Sequence, residues 1–286
     1  FLLYLSDTIK QNIIFLPDGL DSDIHSLDPG VYLMENVRFH DYETKNVNRP
    51  NIEVDIYVNE AFSVSHRNHL SITGIKSKSH CFGYCFVKEI NYLNIVMTKN
   101  NNKKLAIIGG SKTMDKIPML ENLSKKVDVI FIAGNNVNVL ADNTKLIDQF
   151  SNNKAKIILM NDGFGNIDPD KEPNYFQLIK DKGHNKIFDI GPISLHILYK
   201  LIKETDIVFW NGALGITEHS FYKNGSEALV QMLNDADCKV VIGGGDTSGF
   251  VNKYYNNFDH ISTGGGASIE YISNETLVGI ENIKSI

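Results

Sequence analysis

The chain contains 286 residues, of which 42% are apolar, and this length is sufficient for two hydrophobic cores. Its formal net charge of -6 argues against a protein that binds nucleic acid mainly through the phosphate backbone. The three cysteines are too few and too scattered for a disulfide framework or a closed zinc site, and the apolar start at residues 1–5 is too short for a signal peptide. We therefore expect a cytoplasmic protein without a membrane span.

The first third of the chain contains three short runs that are typical of extended strands, at 13–15, 31–34 and 54–58. An amphipathic stretch from Cys81 to Met97 follows and is typical of a helix. The helical spacing of Cys81 and Cys85 predicts that both lie in the core. The polar run at 99–104 then separates two regions. The predicted division is a first domain at 1–98, a linker at 99–104 and a second domain at 105–286.

The second region repeats one pattern five times: an apolar run of β-type residues ends in a turn that contains glycine. The runs lie at 105–110, 129–134, 157–163, 207–212 and 240–245. Amphipathic stretches separate most of them, which is typical of buried parallel strands joined by crossover helices. Because ligands of such sheets bind beyond the carboxyl ends of the strands, we expect the glycines to lie beside a ligand.

The last of these runs leads into Gly243, Gly244, Gly245, Asp246 and Thr247, followed by a predicted helix. Glycines let the backbone approach a phosphate chain, and the start of a helix adds free N–H donors. A carboxylate beside phosphates is explained by Mg²⁺, which bridges phosphate oxygens. The motif therefore favours a nucleotide site, and a tight structural turn is the alternative.

Two lysines, Lys112 and Lys116, follow the glycine pair that ends the first run. Four residues apart, they share one face of a helix, where an anion would offset their mutual repulsion. Solvated lysines are the alternative interpretation.

The only tryptophan, Trp210, lies at the end of the fourth run, ahead of Asn211, Gly212 and Glu218. A carboxylate such as Glu218 at this edge of a sheet accepts hydrogen bonds from ribose hydroxyls in other nucleotide sites. The alternative is a core tryptophan and a helix start, with Glu218 as a favourable charge in the first turn.

Among the 28 basic residues only Arg38, Arg49 and Arg67 are arginines. Arginine offers a planar fork that binds a carboxylate or phosphate through two parallel hydrogen bonds, which lysine cannot replace. Arg38 and Arg67 stand beside histidines in the segments 35–40 and 65–69, a grouping suited to a small polyanion, although chance retention is the alternative. We expect Arg49, in a loop of Asn and Pro, to be solvated.

Together these segments resemble phosphoglycerate kinases, in the same order and over almost the whole chain. Residues 35–40 are similar to the family's Glu-Asn-Leu-Arg-Phe-His, and residues 58–69 to its Asn-Asp-Ala-Phe and His-Arg-Ala-His segments. Residues 109–116 are similar to Gly-Gly-Ala-Lys-Val-Ser-Asp-Lys, and residues 210–218 to Trp-Asn-Gly-Pro-Met-Gly-Val-Phe-Glu. The two glycine motifs at 243–247 and 262–268 match the family's C-terminal pair.

The resemblance implies an α/β fold of two Rossmann-like parallel-sheet domains with a hinge, the first holding the glycerate and the second the nucleotide. It implies reversible phosphoryl transfer from 1,3-bisphosphoglycerate to Mg-ADP, which yields 3-phosphoglycerate and Mg-ATP. We accordingly expect a monomer whose partners are these small molecules, with neither nucleic acid nor a membrane among them.

The resemblance also implies a role for each candidate residue. Two residues would bind the glycerate: Arg38 and Arg67. One would stabilise the transferring phosphoryl group: Lys112. The nucleotide would contact Lys116, Asn211, Gly212, Glu218 (at the ribose), Gly243, Gly244, Gly245, Asp246 and Thr247, with Asp246 also at the magnesium.

Several family segments do not occur in the chain. The family's Asp-x-Asn and His-x-x-Gly-Arg are missing, as is a Gly-Lys-Ser segment expected near 134–150, where Lys145 is a candidate substitute. Residues 133–136 read Ala-Gly-Asn-Asn in place of Gly-Gly-Gly-Met, and Ala213 replaces a proline. We therefore expect an incomplete first domain with exposed apolar surface and an unpaired sheet edge, and a chain with little activity.

Two other functions are alternatives to phosphoryl transfer. A degenerate relative that binds nucleotide without turnover would account for the changes around 134–150. A nicotinamide-dependent dehydrogenase is disfavoured, because no Gly-x-Gly-x-x-Gly follows the first strand of the second region.

Overall fold

A computed structural model describes residues 2–45, 47–48, 50–110, 116–134, 136–137, 153–254 and 257–284. The chain divides into two compact units, one formed by 1–83 with 278–286 and the other by 84–277.

The first unit contains two pairs of parallel strands. β1 (Ile13–Leu16) pairs with β2 (Val31–Met34), and β3 (Glu53–Asn59) pairs with β4 (Lys76–Phe82). Its helices are α1 (Leu2–Ile9), α2 (Asp41–Lys45) and, near the end of the chain, α9 (Val278–Lys284), and a π-helical turn spans Leu70–Gly74. One core cluster consists of Leu20, Tyr42, Ile52 and Leu70. Several apolar side chains of this unit are exposed, namely Leu3, Tyr4, Phe39 and Ile56.

The second unit is built on a sheet of six parallel strands. The strands are β5 (Lys104–Ile108), β6 (Val129–Ile132), β7 (Lys156–Leu159), β11 (Ile207–Asn211), β12 (Lys239–Gly243) and β13 (His260–Ile261). They lie in the order β13-β12-β11-β5-β6-β7, and every neighbouring pair is parallel. All residues of β5 and β11 are buried, which explains why residues 105–108 of β5 and 207–210 of β11 are apolar without interruption.

Helices and a small second sheet pack with the main sheet in the second unit. In the described part of this unit the helices are α3 (Tyr84–Met97), α4 (Ile117–Lys126), α5 (Pro192–Lys203), α6 (Asn224–Asn234), α7 (Gly245–Val251) and α8 (Gly266–Asn274). β8 (Gly163–Asn166), β9 (Asn174–Phe176) and β10 (Lys186–Ile190) form an antiparallel sheet in the order β10-β8-β9.

The predicted α/β class with parallel sheets is confirmed. Each of the five apolar runs of the second region forms a strand of the six-stranded sheet, and all of their pairings are parallel. One detail of the prediction is wrong: Gly163 does not lie in a turn after β7 but is the first residue of β8, where it pairs with Phe176. The antiparallel sheet that begins there was not predicted from the sequence.

The division into units differs from the predicted boundary at 99–104. α3 belongs to the second unit because partly buried polar contacts attach it there: Glu89 lies 2.8 Å from His260, and Tyr271 donates to Asn94 at 2.8 Å. The ammonium of Lys104 donates to the carbonyl of Val96 at 3.1 Å, so the polar run connects two parts of one unit. α9 belongs to the first unit, where Gly279 N–H donates to the carbonyl of Ser65 at 2.9 Å.

The prediction for two cysteines is wrong. Cys81 lies in β4 and Cys85 in α3, so they do not share a helix, and both are exposed. The helical pattern begins three residues later than predicted, because Cys81 and Phe82 pair with β3 in the parallel register.

Candidate functional site

The six-stranded sheet has a switch point, where the order in which the chain adds strands reverses direction. From β5 the chain proceeds outward to β6 and β7, and it later returns to the other side of β5 to form β11, β12 and β13. The connections therefore diverge between β5 and β11. In open parallel sheets this divergence creates a crevice at the carboxyl ends of the strands, which is where ligands bind.

The loops after β5 and β11 are joined across this crevice by backbone hydrogen bonds. Gly109 N–H donates to the carbonyl of Asn211 at 2.9 Å, and Gly110 N–H donates to the carbonyl of Ala213 at 2.8 Å. Gly212 has a φ of +90°, and a Cβ at this residue would lie 2.9 Å from the Lys116 ammonium. A side chain at 212 would thus be strained and would displace the lysine.

Lys116 lies at the centre of this arrangement. It immediately precedes α4, is only 7% exposed, and donates from Nζ to the carbonyl of Gly109 at 2.6 Å. Burial lowers the pKa of Lys116 to about 8, while the negative charge of Asp246 acts in the opposite direction. The switch point therefore presents a poorly hydrated positive charge, which is suited to an anion.

Asn136 is a neighbour of Lys116 whose position at the site the sequence did not predict. Its side-chain amide is buried and donates to the same carbonyl of Gly109, at 2.8 Å. The segment 133–136 stood out in the sequence only as a departure from the family pattern. No local pattern indicates that an amide 27 residues after Gly109 returns to its carbonyl.

Asn211, the last residue of β11, directs a buried amide toward the glycine turn of β12. The residue is 2% exposed, and its Nδ2 has no hydrogen-bond partner among the residues that the structure describes. A Cβ on Gly243 would lie 3.1 Å from this nitrogen and one on Gly244 would lie 3.3 Å from it. A buried donor without a partner is costly in a folded protein, and a bound acceptor would remove that cost.

The segment 243–247 forms the end of β12 and the start of α7. Thr247 is buried, and its hydroxyl oxygen accepts the N–H of Gly212 at 2.9 Å, which ties this turn to the loop after β11. Asp246 is exposed in the first turn of α7. A Cβ on Gly265, in the turn before α8, would lie 3.8 Å from the backbone nitrogen of Gly245, so the two C-terminal glycine turns are adjacent.

Glu218 is exposed in the loop between β11 and α6. β10 anchors this loop, since Ile216 N–H donates to the carbonyl of Phe188 at 3.0 Å. The neighbouring Asp189 is a buried carboxylate that accepts the N–H groups of Gly225 at 3.0 Å and Ile190 at 2.9 Å. Burial raises the pKa of Asp189 to about 7 although these two hydrogen bonds lower it. The sequence did not predict Asp189.

Arg38 and Arg67 both belong to the first unit and are exposed. Arg38 lies in the 3₁₀ turn Val37–Phe39, which Asn36 caps by accepting its backbone N–H at 3.1 Å. Arg67 follows the turn Phe62–Val64, and its Nε lies 3.3 Å from Nε2 of His66. Both guanidinium groups are therefore accessible to an anion.

Three residues singled out in the sequence, Arg49, Lys112 and Lys145, lie outside the described residues. The described part of the chain contains no group of three or more His, Cys, Asp or Glu residues arranged to hold a metal ion. None of its helices is long and apolar enough to span a membrane.

The geometry of the second unit agrees with the family that the motifs resemble. A family model described as phosphoglycerate kinase matches residues 2–275. The chain belongs to the phosphoglycerate kinase family. The family match therefore covers the six-stranded sheet and the glycine turns at its edge after β5, after β11, after β12 and before α8.

Named relatives and solved structures extend this result. The phosphoglycerate kinase of Coprothermobacter proteolyticus is 33% identical over 307 residues, covering 96% of this chain and 78% of the relative. That of Fusobacterium nucleatum is 31% identical over 328 residues, covering 98% and 80%. The structure of the Coxiella burnetii phosphoglycerate kinase has a TM-score of 0.83 at 24% identity, covering 99% of this chain and 80% of that one. The Pyrococcus horikoshii structure has a TM-score of 0.79 at 21% identity, covering 99% and 81%. These two structures share the fold of the chain.

Proposed function

We propose that the chain catalyses, with little activity, reversible phosphoryl transfer between 1,3-bisphosphoglycerate and Mg-ADP, which yields 3-phosphoglycerate and Mg-ATP. The observation that carries this proposal is the buried ammonium of Lys116 at the switch point, surrounded by the glycine turns after β5 and β11. In this chemistry catalysis depends on positioning and charge neutralisation, so neither a general base nor a covalent nucleophile is needed.

The nucleotide belongs, in this proposal, at the carboxyl edge of the six-stranded sheet. Lys116 contacts its phosphates, together with Asn211, Gly212, Gly243, Gly244, Gly245 and Thr247. Glu218 contacts the ribose, and Asp246 the magnesium that accompanies the phosphates. Mg²⁺ is commonly held by one or two carboxylates and by phosphate oxygens, which suits the single exposed carboxylate of Asp246. Lys112 stabilises the phosphoryl group in transit, and Arg38 and Arg67 bind the glycerate.

The proposal is tested by measuring ATP-dependent phosphorylation of 3-phosphoglycerate, coupled to oxidation of NADH by glyceraldehyde-3-phosphate dehydrogenase. A Lys112→Ala preparation made in the same way controls for contaminating host enzyme. Turnover well above this control supports the proposal. No turnover above the control would refute it.

A second candidate function is nucleotide binding without turnover. The observation that favours it is the buried side-chain amide of Asn136, which donates to the same carbonyl of Gly109 as the Lys116 ammonium does. Equilibrium binding of Mg-ADP in the absence of any turnover would identify this function and exclude the first.

Replacing Asp246 by Ala should weaken the binding of Mg-ADP by about tenfold and leave the binding of metal-free ADP nearly unchanged. The reason is that this carboxylate is proposed to act through the metal and not on the phosphates. Isothermal titration with Mg²⁺ and with EDTA measures the two affinities, and Asp237→Ala, an exposed aspartate before β12, is the matched control. Equal weakening with and without metal would contradict the role of Asp246.

Replacing Arg67 by Lys should weaken the binding of 3-phosphoglycerate by about tenfold, because the charge remains but the two-pronged hydrogen bonding is lost. Titration with 3-phosphoglycerate measures the effect. Arg49→Lys is the matched control, since it makes the same change at an arginine with no proposed role. If the Arg67→Lys affinity equals that of the unchanged chain, Arg67 does not bind the glycerate through its fork.

A further inference from the structure

A buried carboxylate lies next to the segment that carries Arg67 in the first unit. Glu43, in α2, is 1% exposed. Its two oxygens accept the backbone N–H of Ser71 at 2.9 Å and the hydroxyl of Ser71 at 2.7 Å. The carboxylate also lies 3.5 Å from Nδ1 of His69. All three contacts therefore fall two to four residues after Arg67.

Stability alone does not account for a carboxylate in this position. Burial of a charged group costs free energy that its contacts recover only in part, and apolar residues of similar size are often as stabilising. Tyr42, next to Glu43 in the sequence, and Leu70, next to Ser71, belong to the apolar core cluster. An apolar residue at 43 would therefore be compatible with its surroundings. A conformational role for Glu43 explains its presence better.

The segment that Glu43 holds is also held by a second, partly buried group. The hydroxyl of Tyr57 donates to the carbonyl of Ser71 at 2.7 Å. Burial and the negative charge of Glu43 raise the pKa of Tyr57 to about 12, so this hydroxyl stays protonated and remains a donor. Ser71 is thus fixed at its N–H, its hydroxyl and its carbonyl.

Ser71 is close to Arg67 in the chain, so fixing Ser71 also restricts the backbone at Arg67. Ser71 lies in the π-helical turn Leu70–Gly74, an uncommon arrangement that is frequent at functional sites. His69 precedes the turn, and its backbone N–H donates to the carbonyl of Arg67 at 2.9 Å. Only one residue separates this bonded pair, so the orientation of the turn determines that of the Arg67 backbone.

We propose that Glu43 is a positioning residue for the glycerate: through Ser71 and His69 it holds the backbone at Arg67 in the conformation that binds the substrate. This inference rests on the proposed function, in which Arg67 contacts the glycerate. Glu43 itself touches no substrate.

The test compares Glu43→Gln with Glu53→Gln. The control removes the same charge from the same unit, at an exposed residue whose ion-pair partner is Lys76 at 3.7 Å. Titration with 3-phosphoglycerate should show affinity reduced about fivefold or more in Glu43→Gln and unchanged in the control. The affinity for Mg-ADP should be unchanged in both, and backbone amides at 65–74 should exchange hydrogen faster only in Glu43→Gln. A purely structural role would alter the melting temperature without this selective loss.

Equal 3-phosphoglycerate affinity in Glu43→Gln and the unchanged chain would overturn the inference, as would unchanged hydrogen exchange at 65–74. If Glu43→Gln does not fold, Ser71→Ala removes only the hydroxyl donor and should weaken 3-phosphoglycerate binding about threefold, and unchanged affinity there would again overturn the inference. Failure of the proposed function is distinguishable, because the unchanged chain would then neither bind 3-phosphoglycerate nor phosphorylate it.

Discussion

Replacing Lys116 by Met should weaken the binding of Mg-ADP by about thirtyfold or more and at the same time stabilise the protein at pH 7. The loss follows from removal of a buried positive charge beside the proposed phosphates, where the charge is poorly screened. Titration calorimetry measures the affinity, and urea unfolding measures the stability.

The gain in stability follows from the pKa of Lys116, which burial lowers to about 8 from its usual 10.5. A lowered pKa means that the charged form is penalised in the folded protein, fully so below pH 8, and that the penalty disappears as the pH rises to 10.5. The penalty amounts to about 3 kcal/mol, part of which the hydrogen bond to Gly109 offsets, so a net gain of about 2 kcal/mol is expected at pH 7. Asn136 still donates to Gly109 in the variant, which leaves the carbonyl satisfied.

The matched control is Lys125→Met, which makes the same change at a half-exposed position of α4, the helix that Lys116 immediately precedes, where the lysine pairs with Glu121 at 3.0 Å. The free energy of Mg-ADP binding and the free energy of unfolding should each change by less than about 0.5 kcal/mol in this variant. Unchanged nucleotide affinity in Lys116→Met would remove Lys116 from the site. Loss of affinity together with loss of stability would mean that the ammonium supports the fold.

Replacing Asp189 by Asn should raise the free energy of unfolding, relative to the unchanged chain, by about 4 kcal/mol more at pH 8 than at pH 4. The folded pKa of Asp189 is raised to about 7 from 3.8, so the favourable contribution of this carboxyl is complete below pH 4 and is lost as the pH rises to 7. The amide does not titrate. The variant should therefore gain stability relative to the unchanged chain over this window, and the gain should level off above pH 7.

Urea unfolding at several pH values, followed by the fluorescence of Trp210, checks this prediction. Trp210 is the only tryptophan and is fully buried in β11, so its signal reports on the second unit. Asp237→Asn, at an exposed position, is the control and should follow the pH curve of the unchanged chain. Curves that are parallel for Asp189→Asn and the unchanged chain would show that Asp189 does not titrate in this range.

The sequence alone was sufficient to predict five strands of the main sheet. Continuous apolar runs such as 105–110 and 207–212 have one physical explanation in a chain of this kind: both faces of the strand are covered, as they are in β5 and β11. The glycines after these runs likewise predicted close approach of the loops, since the requirement for glycine is local to the backbone. The structure contains both features.

Neither the strand order nor the position of the crevice, which depends on that order, could be predicted. Parallel strands pair through long crossovers, and no local pattern states which strand becomes the neighbour of which. The small antiparallel sheet escaped prediction for a related reason, because Gly163 follows an apolar run as the turn glycines do. Only the assembled sheet places β11 beside β5 and so brings Gly212 next to Lys116.

The sequence selected Lys116, Asp246 and Glu218 as equals, whereas the tertiary structure distinguishes them. Lys116 is buried with a lowered pKa, while the two carboxylates are exposed. Glu43 and Asp189 carried no sequence signal because their partners Ser71 and Gly225 lie 28 and 36 residues away along the chain. Local patterns of apolar residues and glycines thus determined the elements and the candidate motifs, while burial and the long-range hydrogen bonds arise only when distant segments pack and exclude water.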